Sequence, residues 1–330
     1  MSNRNPLNML TAEAKARLRQ RSEPDWIGPM LATLTQERFS RQGWLFEPKW
    51  DGERCLAFRH GRELNLLSRN RILLNARYPE ITTACLQQEN ERFVVDGEIV
   101  TFKNGVTSFA KLQERIQVEN PSADLLRRVP VWLCLFDLLY LDRYDTRQVP
   151  LRYRKELLRN SFDFKGSLQF TEHRETEGEA YFRQACRKGW EGVIAKDGES
   201  VYVSRRTSDW LKFKCSKEQE FVIVGYTDPR GSRIGFGALL LGYYRGRKLV
   251  YAGKVGTGFD RDTLRWLGRK LAKLRAPISD VPPRRDVHWV KPRLIAQIAF
   301  TEWTRDGKLR HPRFLGLRDD KRPEEVVRES

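Results

Sequence analysis

Histidine and cysteine are scarce in this chain and badly placed for chemistry. Four histidines (His60, His173, His288, His311) are scattered over 330 residues and form no HxH or HExxH spacing. Five cysteines (Cys55, Cys85, Cys134, Cys186, Cys215) lie far apart, an odd number with no CxxC among them. Neither a disulfide framework nor a structural zinc is expected, and neither thiol nor imidazole catalysis. Long hydrophobic runs are missing too. The longest, around "ALLLGYY" at 238–244, is far too short to cross a bilayer and reads as a strand. The first thirty residues are charged throughout and have no apolar signal-peptide region. No membrane association is expected, and the bacterial cytoplasm is the expected compartment. GxGxxG and regular βαβ repeats are absent, which argues against a Rossmann fold. No internal repeat stands out.

Positive charge, by contrast, is abundant. Lys and Arg number 61 against 43 Asp and Glu, a net charge of +18. So basic a chain points to a polyanionic partner, most often nucleic acid. Residues 1–25 are polar and read as a flexible or loosely docked arm. From 26 to 217, strands and helices mix: "WLFEPKW", "ERCLAFRHG", "ELNLLSRN" and "EGVIAKD" read as strands. "RFVVDGEIVTF" reads as a strand pair or one strand bent at Gly97, and "VPVWLCLFDLLYLD" as a central strand. "YPEITTACLQQE", "SFAKLQERIQ" and "EGEAYFRQACRKGW" read as helices, the first ending at Asn90. The expected class is α+β with largely antiparallel sheets. From 218 to 330, short strands split by Gly-rich turns and one basic helix, "RDTLRWLGRKLAKLR", fit a small OB-type barrel.

The stretch "FEPKWDGER" places Lys49 just before an Asp-Gly turn. A lysine at its reference pKa near 10.4 is almost wholly protonated at neutral pH. It becomes a nucleophile only where burial, cationic neighbours or a metal disfavour its charge. "WLKFKC" supplies Lys212 and Lys214 two residues apart, on one face of a strand. Glu98 and Glu191 sit at the edges of apolar strands, where an acid is costly unless paired or liganded, and could hold a divalent cation between phosphates.

In order, KxDGxR (Lys49–Arg54) is followed by "SRN" at 68–70, "DGE" at 96–98 and "LFDLLY" at 135–140. Next come "EGVIAK" at 191–196, "WLKFK" at 210–214 and "RFLGLRDDK" at 313–321. This series resembles the covalent nucleotidyltransferase superfamily of ATP-dependent DNA ligases, RNA ligases and capping enzymes. With "PMLATL" near the start and "HPRFLGLRDDKRPEEV" near the end, it is most similar to the ligase domain of bacterial non-homologous end-joining (LigD-type) ligases. The resemblance covers residue 26 to the C-terminus and implies an adenylating domain followed by an OB domain.

It also implies roles. Lys49 would attack the α-phosphate of ATP and carry AMP. Glu47 would face the adenine amino group, Phe136 would stack on the base, and Asp51 and Gly52 would form a turn, the glycine supplying a positive φ. Arg54 would contact ribose or the nick, Arg69 the 5′-phosphate or nucleotide oxygens, and Glu98 the ribose hydroxyls or a metal. Glu191 would be a ligand for Mg2+ or Mn2+. Lys212 and Lys214 would hold the α-phosphate, and Arg318, Asp320 and Lys321 would orient pyrophosphate. Basic OB loops, "DPRGSRIG" with Arg230 and Arg233 among them, "YYRGRK", "RKLAKLR" and "PPRR", would grip DNA backbone without reading bases. A hinge at "CSKEQE" would let the OB domain turn. The implied substrate is nicked or broken duplex DNA, with Ku and a separate repair polymerase as partners of a monomer. It is expected to be a free-standing member or an excised domain, without the N-terminal DNA-binding domain of replicative ligases. An RNA ligase or capping enzyme is the alternative within the superfamily, and a non-catalytic DNA-binding scaffold is the alternative outside it.

Overall fold

A computed structural model describes residues 6–215, 217–276, 286–319 and 321–329. Ser216 of the expected hinge, the "PPRR" tract and Asp320 therefore lie outside the described residues. The chain divides into two compact units, 1–215 and 216–330.

The first unit carries two sheets. One runs in the order Arg19–Gln20, Tyr144–Asp145, Trp132–Leu141, Arg92–Val100, Glu53–His60, Glu63–Ser68, antiparallel throughout. Leu168–Phe170 adds to Trp132–Leu141 in parallel. Residues 133–141 are all buried, which is why that stretch reads as an unbroken apolar run and not as an alternating one. The "RFVVDGEIVTF" region is one strand, Arg92–Val100, whose register shifts at Asp96/Gly97. The second sheet runs Leu31–Leu34, Arg206–Lys214, Gly192–Asp197, Trp44–Pro48. Its pairs are antiparallel except Leu31–Leu34 with Arg206–Lys214. A shared core of Leu45 and Trp210 from this sheet and Leu56, Val94 and Phe136 from the first packs the two face to face.

Two expectations need correction here. The N-terminal segment is not loosely docked: Leu7, Leu10 and Ala14 are buried in the main core. Leu7 lies on a single 3-10 turn, Pro6–Met9, and Ala14 on the short helix Ala12–Ala16, so no long helical periodicity announces the docking. The helix over "YPEITTACLQQE" spans Pro79–Leu86 and stops short of Asn90. The other two helices form at Phe109–Ile116 and Gly178–Arg187.

The second unit is an OB-type domain. Its main sheet runs Lys248–Val255, Leu239–Arg245, Lys217–Thr227, Ile295–Phe300, Arg313–Arg318, with Val287–Trp289 pairing Lys217–Thr227. The helix Arg261–Lys273 is capped by Asp260, whose Oδ1 accepts from Thr263 N at 2.7 Å. It buries Leu264, Leu267 and Leu271, leaving Arg261, Arg265, Arg269 and Lys273 exposed.

Candidate active site

Lys49 follows the strand Trp44–Pro48 directly, and its backbone N–H donates to the Gly192 carbonyl at 3.0 Å. Pro48 pairs with Val193 and Gly192 with Lys214, so Lys49 and Lys214 flank Gly192 at one end of the second sheet. The Lys49 ammonium pairs with the Glu191 carboxylate, one residue before Gly192. Both side chains are largely buried, 20% and 8% exposed. A Cβ on Gly192 would lie 1.9 Å from the Phe213 carbonyl, so only glycine lets the strands close at this point. Lys212 and Lys214 alternate along Arg206–Lys214, on one face as expected.

The turn after Lys49 is held from the side. Asp51 Oδ2 accepts from Phe109 N at 3.1 Å, which caps the helix Phe109–Ile116. Gly52 is not needed for a positive φ, contrary to expectation: it is not among the positive-φ glycines. It is needed for space, since a Cβ there would sit 2.1 Å from the Ile99 carbonyl.

Arg54 is committed to Asp96. Its Nε and Nη2 donate to the two carboxylate oxygens at 2.6 Å each, and Nη2 also reaches the Met30 carbonyl at 3.2 Å. The Tyr202 hydroxyl donates to the same carboxylate at 2.6 Å. Burial opposes the guanidinium charge, but Asp96 outweighs it and holds Arg54 above its usual pKa. Arg54 lies 4.7 Å from the centroid of Phe136 and Lys196 lies 4.2 Å from it, so two cations cover a ring only 7% exposed.

Glu47 lies wholly inside. Its oxygens face Lys155 and Lys196, each at 2.5 Å, and all three groups are nearly inaccessible. Burial alone would raise the Glu47 pKa; the two lysines reverse that and keep it lowered. Lys196, between the rings of Phe136 and Trp210 at 4.2 Å from each, is pulled down to about 8 by burial, with Lys155 acting in the same direction.

Glu98 stands opposite Arg54 and Cys134 in the sheet register. Arg69 follows the strand Glu63–Ser68 in a tight turn. Arg318 and Lys321 belong to the second unit, where Lys321 pairs with Glu220 at 2.7 Å. Arg230 and Arg233 line a cleft there with Thr227, Asp228 and Lys254. The Arg233 guanidinium donates through Nε and Nη1 to the carbonyls of Phe236 and Gly256, at 2.9 Å each, which fixes it to the loop it belongs to.

The cysteine expectation is overturned in one place: Cys186 and Cys215 form a disulfide. They are 29 residues apart in sequence, and the sheet brings Cys215 back beside Glu191, whose carbonyl accepts from Cys215 N at 2.9 Å. The other three cysteines are buried, and burial pushes Cys85 up to about 12, which leaves it unreactive.

Asp96, Tyr202, Lys155, Lys196 and Trp210 went unassigned in the sequence. Asp96 carried the one usable signal, an acid inside an apolar strand that must find a partner.

A lysine paired with an acid at a strand end, beside a second lysine, is an arrangement that a nucleotidyltransferase site could use. The family model for the ATP-dependent DNA ligase domain matches residues 29–214, and that for the ATP-dependent DNA ligase C-terminal region matches 232–321. The chain belongs to the ATP-dependent DNA ligase family.

Within it, the chain is similar to the multifunctional non-homologous end joining protein LigD of Pseudomonas aeruginosa, 37% identical over 93% of this chain and 37% of that protein. The LigD of Mycobacterium tuberculosis is 38% identical over 93% of this chain and 40% of that one. The chain thus spans about two fifths of the length of these relatives. A solved structure, mycobacterial DNA ligase D complexed with ATP and MES, aligns with a TM-score of 0.66 at 35% identity, covering 92% of this chain and 98% of that one.

Proposed function

We propose that this chain seals 5′-phosphate/3′-hydroxyl breaks in duplex DNA through a lysyl-AMP intermediate on Lys49. The observation that carries the reading is the Lys49–Glu191 pair set beside Lys214 at the end of the second sheet. Family membership supports it.

In the first step Lys49 gives its ammonium proton to solvent and the free amine attacks the α-phosphorus of ATP, a second proton leaving the nitrogen to solvent. A P–N bond forms, the bond to the β-phosphate bridging oxygen breaks, and pyrophosphate leaves. Lys212 and Lys214 neutralise charge gathering on the α-phosphate, where preorganised cations act most strongly. Glu47 accepts from the adenine amino group, and Phe136 stacks on the base. Next a DNA 5′-phosphate takes AMP from Lys49, and finally the 3′-hydroxyl displaces AMP and closes the strand. Arg54 and Arg69 serve the ribose and the 5′-phosphate. Arg318 and Lys321 orient pyrophosphate.

Among the described residues no group of three metal-ligating side chains converges. By resemblance, Glu191 or Glu98 would offer carboxylate oxygen to a divalent ion, a donor type that Mg2+ takes together with phosphates and water. Mg2+ or Mn2+ held there would screen the phosphate oxygens. No described helix is long and apolar enough to cross a membrane. A role in DNA end joining would place the protein in the bacterial cytoplasm. By analogy with the relatives' names, it acts in non-homologous end joining; a monomer working with Ku and a repair polymerase is what the family resemblance adds to this reading.

The test is sealing of a nicked DNA duplex with ATP and Mg2+, with Lys49→Ala as control. Sealing by the parent and none by the variant is expected. Equal sealing by the variant would refute Lys49 as the nucleophile, no sealing by either would leave the scaffold reading, and label taken from GTP but not ATP would turn the assignment to a capping enzyme.

A further inference from the structure

Glu47 is assigned to the base, yet both its oxygens are already occupied by lysines. Lys196 comes from the same "EGVIAK" segment as Glu191. Lys155 belongs to none of the motif segments: it sits on the helix Leu151–Ser161. That helix is anchored beside it. Arg154 is fully buried and forks onto Asp137 at 2.7 and 2.8 Å, and it also donates to the carbonyls of Val149 and Ser200. Lys155 is 1% exposed, donates to the Thr171 carbonyl at 2.9 Å, and lies 4.7 Å from the Phe170 ring centroid. Buried, bonded to the Thr171 carbonyl and set over Phe170, the ammonium is held in place and with it Glu47 Oε1.

We infer that Lys155 is a positioning residue for base selection, holding the Glu47 carboxylate as an acceptor-only wall against the six-position of a purine. The inference rests on the reading that Glu47 faces the base of ATP. An ionised carboxylate accepts from the adenine amino group and repels the carbonyl that guanine or hypoxanthine presents at the same place. A carboxylate held by one lysine alone would be free to rotate, and Lys196 could then donate to that carbonyl. A second feature of this cluster suits a polar ligand. His173, close enough to Lys155 and Glu47 to feel both charges, keeps a buried Nδ1 without a hydrogen-bond partner among the described residues.

The test is transfer of label to Lys49 from ATP and from ITP by the full chain, compared for the parent, Lys155→Met and Lys155→Arg. Lys155→Met is expected to raise KM for ATP about tenfold with little change in kcat, and to cut the ATP-to-ITP preference at least tenfold. Lys155→Arg, which keeps the charge, should retain most of that preference. Adding Lys155→Met to Glu47→Gln should cost no further selectivity, because the two act as one unit. If Lys155→Met does not melt cooperatively, Lys155→Gln takes its place with the same prediction. ATP and ITP rates that fall together, with the preference intact, would reduce Lys155 to a structural role and overturn the inference. A parent that takes no label from ATP would instead overturn the function on which it rests.

Discussion

Replacing Asp96 with asparagine removes one charge from a carboxylate that takes three donors: Arg54 Nε and Nη2, and the Tyr202 hydroxyl, each at 2.6 Å. Asparagine has the same shape, but offers a single acceptor oxygen and turns an amino group toward the guanidinium. Removing one partner from a buried ion pair costs about 3–5 kcal/mol, mainly because the other charge is left stranded. Arg54 keeps 16% of its side chain exposed and retains the Met30 carbonyl, which puts the expected cost at the low end, about 3 kcal/mol. In a unit of this size, 1 kcal/mol moves Tm by roughly 2–4 °C, so the unit spanning 1–215 should melt roughly 6–12 °C lower. Calorimetry on the full chain provides an internal control, because the network contains no residue of the second unit, whose transition should not move. A released Arg54 also uncovers Phe136, and KM for ATP in Lys49 labelling should rise about tenfold, equivalent to about 1.4 kcal/mol. A variant within 1 kcal/mol of the parent, with unchanged labelling kinetics, would refute the reasoning that Asp96 holds Arg54 against Phe136.

Gly52→Ala should abolish Lys49 labelling and lower stability by about 1–3 kcal/mol, since its methyl meets the Ile99 carbonyl at 2.1 Å; an active, stable variant would mean the turn has room. His173 has its pKa lowered, first by burial and then by Lys155, so the unfolded chain protonates before the folded one. Stability should therefore fall as pH drops through about 6.5, and His173→Gln should flatten that slope in urea melts at pH 5 to 8. Thiol titration of the non-reduced, denatured chain should find three thiols, as Cys186 and Cys215 are joined. Cys186→Ser should cost about 3–4 kcal/mol for a closed loop of this length, and a count of five thiols would contradict the link.

The fold and part of the site were legible because some signals are local. "FEPKWDGER" spells a strand, a turn and the next strand, and it carries Lys49 with it. The alternation of Lys212 and Lys214 follows from strand geometry alone. What stayed hidden depends on sheet register and on long returns of the chain. Glu47 meets Lys155 across 108 residues, and Tyr202 meets Asp96 across 106. Cys186 and Cys215 looked unrelated until the strand Arg206–Lys214 ran back along Gly192–Asp197. The partners that fix Arg233, the carbonyls of Phe236 and Gly256, are backbone groups that no side-chain pattern reveals. Gly52 gave a correct signal for a mistaken reason: the sequence marks a glycine, but only the packing shows that crowding, and not φ, requires it.

The central claim is that Lys49 becomes covalently adenylated, and the most direct measurement is mass mapping of the chain after incubation with ATP and Mg2+ without DNA. One AMP on the peptide carrying Lys49, discharged when nicked duplex is added and absent from Lys49→Ala, is the predicted result. AMP on another residue, or none on any, would contradict the account.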